Sequence, residues 1–132
     1  MAEKFRVIIA GGRDFDNFRF LCKTCMHMLQ NKENVTVVSG CSEGADKFGE
    51  KFAKFIGYEI KEFPANWNEF GKAAGPIRNR QMAEYADALI AFWDGESTGT
   101  ANMIEEAEKR NLKVIVKKYK VEKIEEKPWY EE

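Results

Sequence analysis

Four short segments of this chain collect residue types suited to holding a phosphorylated ligand. They are Gly11-Gly12-Arg13-Asp14-Phe15, Gly40-Cys41-Ser42-Glu43-Gly44-Ala45-Asp46, the stretch from Gly71 to Arg80, and Trp93-Asp94-Gly95-Glu96-Ser97-Thr98-Gly99-Thr100. Glycine lacks a Cβ, so backbone amides can approach a bound group closely. Arginine adds charge-assisted hydrogen bonds of roughly 1.5 to 3 kcal/mol each, and Asp14, Glu43 and Asp46 offer acceptors for ribose hydroxyls or a base. Such a mixture suits a nucleotide better than bare phosphate. Ligand contacts are expected at Gly11, Gly12, Arg13 and Asp14, at Gly40, Ser42, Glu43, Gly44 and Asp46, at Arg78 and Asn79, and at Asp94, Gly95, Ser97, Thr98, Gly99 and Thr100. Arg78 and Arg80 project about 200° apart on a regular helix. One of them faces the ligand, and Arg78 is the expected one.

These segments need elements to position them. Five β-rich runs punctuate the chain: Phe5 to Ala10, Val35 to Ser39, Glu59 to Phe63, Ala88 to Phe92 and Lys113 to Lys118. Helical periodicity fills the gaps, over Phe18 to Asn31, along the stripe Ala45, Phe48, Phe52, Phe55 and Ile56, over Pro76 to Ala86, and at Ala101, Ile104 and Ala107. Strands alternating with helices predict an α/β fold, a Rossmann-like three-layer sandwich with a five-stranded, mostly parallel sheet. The apolar runs Val7-Ile8-Ile9-Ala10 and Ala88-Leu89-Ile90-Ala91-Phe92 read as central strands covered on both faces. In such a sheet ligands bind beyond the carboxyl ends of the strands. Each glycine-bearing segment alone also reads as an ordinary turn or helix cap. What favours a site is that three of them follow strands expected to be neighbours.

Composition narrows the function classes. The chain has 132 residues, with 21 Lys+Arg against 22 Asp+Glu and a formal net charge of -1. That balance lacks the strongly positive field of a non-specific nucleic-acid binder, so no nucleic-acid partner is expected. One domain is expected over residues 1–118, followed by a charged tail over residues 119–132. No apolar run reaches the roughly 20 residues of a membrane span, so a cytoplasmic location without membrane contact is expected. Cys22 and Cys25 form a C-x-x-C on the core-facing stripe of the first helix and read as core thiols. His27 lies one residue too late for haem attachment, no second cysteine pair closes a zinc site, and neither a metal nor a resident cofactor is expected. The G-x-G-x-x-G and G-K-[ST] signatures are absent.

Val7 to Phe15, Ser39 to Asp46, Ala74-Gly75-Pro76-Ile77-Arg78-Asn79-Arg80-Gln81-Met82 and Ser97-Thr98-Gly99-Thr100 together resemble the YspA-like branch of the SLOG superfamily, over about residues 5 to 118. The resemblance implies a Rossmann-like fold that senses or sequesters a nucleotide or nucleotide-derived ligand, such as an ADP-ribose-like molecule. It also implies a homo-oligomer. The superfamily includes the Lonely Guy phosphoribohydrolases, and a related fold occurs in the DNA-processing protein A family. Phosphoribohydrolases carry a G-G-x-G-T-x-x-E loop and a catalytic arginine on the preceding helix. Gly99-Thr100 matches the G-T and Arg78 resembles that arginine, whereas Met103 stands at the Glu position, with Glu105 and Glu106 further along. A nucleoside-monophosphate N-glycosidase is therefore the alternative, with Arg78 and Glu43 as catalytic candidates, and Asp46 as another carboxyl that burial would convert to a general acid. Single-stranded DNA handling, with Trp67, Phe70 and Trp93 as stacking platforms, ranks third.

Overall fold

The structure is a computed structural model that describes residues 3–120. Five strands, β1 (Phe5–Gly11), β2 (Val35–Ser39), β3 (Glu59–Glu62), β4 (Ala88–Trp93) and β5 (Lys113–Lys118), form one sheet in the order β3-β2-β1-β4-β5. Every neighbouring pair is parallel. Five helices connect them: α1 (Phe18–Leu29), α2 (Ala45–Ile56), α3 (Trp67–Phe70), α4 (Ala74–Tyr85) and α5 (Thr98–Lys109), with a 3-10 turn over Gly71–Ala73 leading into α4.

The alternation along β1 explains the three layers. Val7 and Ile9 join one apolar cluster with Leu21 and Cys25 of α1 and Phe52 of α2. Ile8 and Ala10 join the opposite cluster with Met82 of α4 and Met103 and Ala107 of α5. Successive side chains of a strand point to opposite faces, so a continuous apolar run feeds two cores at once. The charged strands β3 and β5 take the edges, where solvent reaches their outward residues. The chain builds β1, β2 and β3 toward one edge and then crosses to add β4 on the other side of β1. That reversal lies between β1 and β4, where a parallel sheet opens a crevice.

Element ends differ modestly from the sequence reading. β1 extends to Gly11 because that residue pairs with Phe92 of β4. β3 closes at Glu62, and α1 stops at Leu29. α4 begins two residues before Pro76, which sits in the first helical turn, where its missing N–H costs nothing. The short α3 had no counterpart in the periodicity, because four residues carry no repeat. Its start is instead set by Asn66, whose side chain accepts from the Glu69 amide. Cys25 is fully buried and its thiol is pushed up to about 12, chiefly by loss of solvent, which makes it inert as a nucleophile. Tyr119, the first residue of the segment read as a tail, packs edge-on against Phe15 at 4.9 Å between ring centroids. Residues 121–132 of that segment lie outside the described residues.

Candidate functional site

A cleft of about 570 Å³ opens over the carboxyl ends of the central strands, bordered by Gly11, Arg13 and Asp14 after β1, by Ser42 and Asp46 at the start of α2, by Arg78 and Asn79 of α4, and by Asp94 and Ser97 to Thr100 around the start of α5. A second cleft of about 300 Å³ adjoins it and takes in Gly40, Glu43 and the Pro64-Ala65 segment. Arg13, Ser42, Trp67 and Arg78 border both.

Arg78 is the buried cation of this region, at 9% exposure. Its Nη1 donates to the Gly40 carbonyl, and its Nε donates to Asn79 Oδ1 at 2.9 Å. These bonds fix the guanidinium plane, and Nη2 has no protein partner among the described residues. Asn79 Nδ2 in turn donates to Asn102 Oδ1 at 2.9 Å and to the Gly99 carbonyl at 3.3 Å. The arginine is thereby tied to the first turn of α5. The first N–H groups of a twelve-residue helix have no partner inside the helix and carry partial positive charge, and Thr98, Gly99 and Thr100 of that turn border the same cleft as Arg78. Arg80, on the far side of α4, is exposed.

Asp46 is 5% exposed and accepts the Ser42 amide through Oδ2 at 3.2 Å. Burial raises its carboxyl to about 6, and the Ser42 amide and the charge of Arg78 oppose part of that rise. Burial conversely holds the Arg78 pKa below its ordinary value, with the Asp46 charge opposing. Gly40 makes this pairing feasible. A Cβ there would lie 2.8 Å from Arg78 Nη1 and 2.8 Å from Asp46 Oδ2, so both side chains occupy the space that any other residue would claim.

Not every expected residue faces the clefts. Gly12 donates its amide to the Phe92 carbonyl at 3.1 Å, and its own carbonyl accepts from Phe15 and Ala45. Gly44 has φ +76 and is pressed against the backbone of Gly12 and Arg13. These two glycines dock the β1 turn on α2 and border neither cleft, and Gly95, at φ +88, forms an outlying turn. Asp94 borders the larger cleft, yet its Oδ1 already accepts the Glu96 and Ser97 amides at 2.9 and 2.7 Å, and those bonds lower its pKa. Asp14 accepts the Tyr119 hydroxyl at 2.6 Å. Glu43 is exposed and borders only the smaller cleft, so the burial that would make a neutral general acid belongs to Asp46.

Met103, at the position where phosphoribohydrolases carry glutamate, is buried and borders the larger cleft with an apolar side chain. Glu105 and Glu106 turn away to Lys109 and Arg110. Trp93 donates its Nε1 to the Ser97 carbonyl and shapes the loop from within, and Phe70 borders neither cleft. Trp67 borders both while half exposed, and Lys72, Gly75 and Asn102 are further lining residues that the sequence reading missed. The Gly75-Pro76 start signal pointed toward this wall, whereas Asn102 carries no signal apart from its place one turn into α5. Among the described residues, Cys41, Glu50 and Glu62 bring ligand atoms within 4.8 Å of one another. Glu50 there is already engaged by the Ser39 hydroxyl at 2.7 Å and faces Lys47 at 3.6 Å, so its charge is met by the protein.

A parallel sheet with this strand order and a crevice at the β1–β4 reversal defines a Rossmann-like α/β protein. The profile of the YspA, cpYpsA-related SLOG family matches residues 5–70, and the chain belongs to that family. Gene 61 protein of Mycobacterium phage D29 is 31% identical over 117 residues, which covers 83% of this chain and 94% of the phage protein. Two solved structures share the fold. DNA processing protein A from Streptococcus pneumoniae superimposes with a TM-score of 0.68 at 17% identity, over 86% of this chain and 50% of that one. DNA processing protein A from Helicobacter pylori, described for its single-stranded DNA binding mode, superimposes with a TM-score of 0.59 at 18% identity, over 85% of this chain and 64% of that one. The chain thus spans half to just under two-thirds of these solved proteins.

Proposed function

We propose that the chain binds a nucleotide or nucleotide-derived ligand, such as an ADP-ribose-like molecule, and acts by sensing or sequestering it. The observation that carries this reading is Arg78: a buried guanidinium, fixed by Gly40 and Asn79, with Nη2 left over and the first turn of α5 opposite. A phosphoryl group between the two would meet a charged donor and helix amides together. Ribose hydroxyls would find Asp46 and Asp14 nearby. Isothermal titration with a panel of nucleotides tests the reading. Wild type is expected to bind, and Arg78→Ala to lose roughly tenfold to a hundredfold in affinity, as removal of a charged hydrogen-bond partner predicts. A well-folded wild type that binds none of the panel would overturn it.

A second reading, N-glycosidic hydrolysis of a nucleoside monophosphate, is favoured by one observation: the raised carboxyl of Asp46 in the larger cleft. With a pKa near working pH, Asp46 would donate its proton to the departing base nitrogen as the C1′–N bond breaks, and water would add its oxygen to C1′ and return a proton to the Asp46 carboxylate. Arg78 would hold the phosphate. Chromatography for free base released from the four common monophosphates tests it, and no release above background dismisses it. Single-stranded DNA is a third reading, supported by the fold shared with the Helicobacter protein. The carboxylates around the clefts and the net charge of -1 weigh against a long phosphate track. A mobility shift at moderate salt decides, and none is expected. No helix among the described residues is long and apolar enough to cross a membrane. The reading includes a cytoplasmic location and a homo-oligomeric assembly.

A further inference from the structure

Arg78 spends its fixed donors on neutral oxygens, the Gly40 carbonyl and Asn79 Oδ1, so no bonded carboxylate cancels its charge. The counter-charge is Asp46, which reaches the guanidinium only through space. A Cβ on Gly40 would lie 2.8 Å from both Arg78 Nη1 and Asp46 Oδ2, yet the two side chains make no direct ion pair among the described residues. Both are buried, and both border the larger cleft. An anion that reaches Arg78 Nη2 therefore comes close to a second negative charge in a poorly solvated wall, where each disfavours the other's ionised form.

The neighbouring charges set the balance at Asp46. Glu50, one turn further along α2, adds negative charge and is itself engaged by the Ser39 hydroxyl and Lys47. The Cys41 thiol, on the loop after β2, is pushed up by burial and stays neutral. Arg13 on the β1 turn adds positive charge beside Arg78, and exposed Lys72 adds more at the cleft border. Asp94 is held ionised by the Ser97 and Glu96 amides, and Asp14 accepts the Tyr119 hydroxyl. The start of α5 brings hydroxyls and amides to the cleft and no charge. Asp46, raised by burial to about 6, is thus poised to gain a proton when a further negative charge arrives.

Resting on the proposed nucleotide reading, we infer that Asp46 is the resident counter-ion of Arg78 and that an anionic ligand takes over this role by driving a proton from solvent onto the carboxyl, so binding consumes a proton and strengthens in acid. The carboxyl holds its proton more tightly in the complex than in the free chain. The gain in affinity is fully present below the free value and is lost as pH rises through the higher, bound value.

Isothermal titration of the full chain with ADP-ribose and cyclic AMP, whose phosphates do not titrate between pH 5 and pH 8, tests this in two buffers of different ionisation enthalpy. AMP is titrated in parallel, and its proton count is read against Asp46→Asn because its own phosphate titrates. Affinity is expected to rise roughly fivefold or more from pH 8 to pH 5.5, with roughly half a proton or more taken up near pH 6.5. Asp46→Asn is expected to bind at pH 8 about as tightly as wild type does at pH 5.5, with a flat profile. His27→Gln, on α1 and bordering neither cleft, is expected to keep the wild-type profile, and its proton count decides the matter if Asp46→Asn does not fold. Binding without proton uptake, affinity that falls in acid, or a pH dependence that survives Asp46→Asn or vanishes in His27→Gln overturns the coupling and leaves the nucleotide reading in place. No binding by any of the three compounds at any pH removes both.

Discussion

Asp46 and Gly40 show how much of this site rests on single atoms. Asp46 has a folded-state pKa raised from 3.8 to about 6, so the folded chain binds more protons than the unfolded chain between those values. Stability therefore falls as pH rises through that window, and the cost, about 3 kcal/mol by the usual conversion, is fully present above it. Asp46→Asn should flatten urea-derived stability between pH 4 and pH 7, and a variant with the same slope as wild type would show that the carboxyl is not responsible. Gly40→Ala makes a separate test. Its Cβ would meet the ends of two side chains, not backbone, so the fold should survive with a loss of roughly 1–2 kcal/mol, while Arg78 is displaced and ligand affinity drops roughly tenfold. Paired urea melts and titrations separate the two effects.

At the scale of elements, the site is a junction of helix starts held in register by polar side chains. Asn79 links α4 to α5 through Gly99 and Asn102 while steadying Arg78, so its removal strands three partners at once. Asn79→Ala is expected to cost about 1–3 kcal/mol in chemical denaturation and to weaken the ligand as Arg78→Ala does. Gly44 serves a different joint. Its φ of +76 at the entrance to α2, against the backbone of Arg13, admits no side chain without strain. Gly44→Ala should destabilise by about 1–3 kcal/mol, visible as a lower urea midpoint at an unchanged slope. This joint explains why two of the expected ligand glycines are architectural. The turn reading of Gly11-Gly12 describes one side of this contact, and only the closure of the sheet shows that Gly12's amide is spent on β4.

Among the described residues, both clefts lie over the carboxyl ends of the strands, at one end of the sheet. A ligand that joins β1, β2, α4 and α5 should stabilise the chain as a unit. At a hundredfold excess over its dissociation constant it would add about 2.7 kcal/mol and raise the thermal midpoint by several degrees. Differential scanning calorimetry should show that shift in wild type and not in Arg78→Ala; a shift of equal size in the variant would place the ligand elsewhere. The order of strands and helices, both faces of β1, and the gathering of Arg13, Arg78 and the α5 turn were legible in the chain itself, because apolar alternation and glycine placement are local and repeat often enough to be read. Burial was not legible. Whether Glu43 or Asp46 loses its water, whether Met103 or a glutamate meets the cleft, and whether Trp67 lies on the waist between two clefts depend on which helix starts converge in space. Four residues of α3 have no period to announce them, and an amide's partner 80 residues away, as for Gly12 and Phe92, exists only once the sheet has closed.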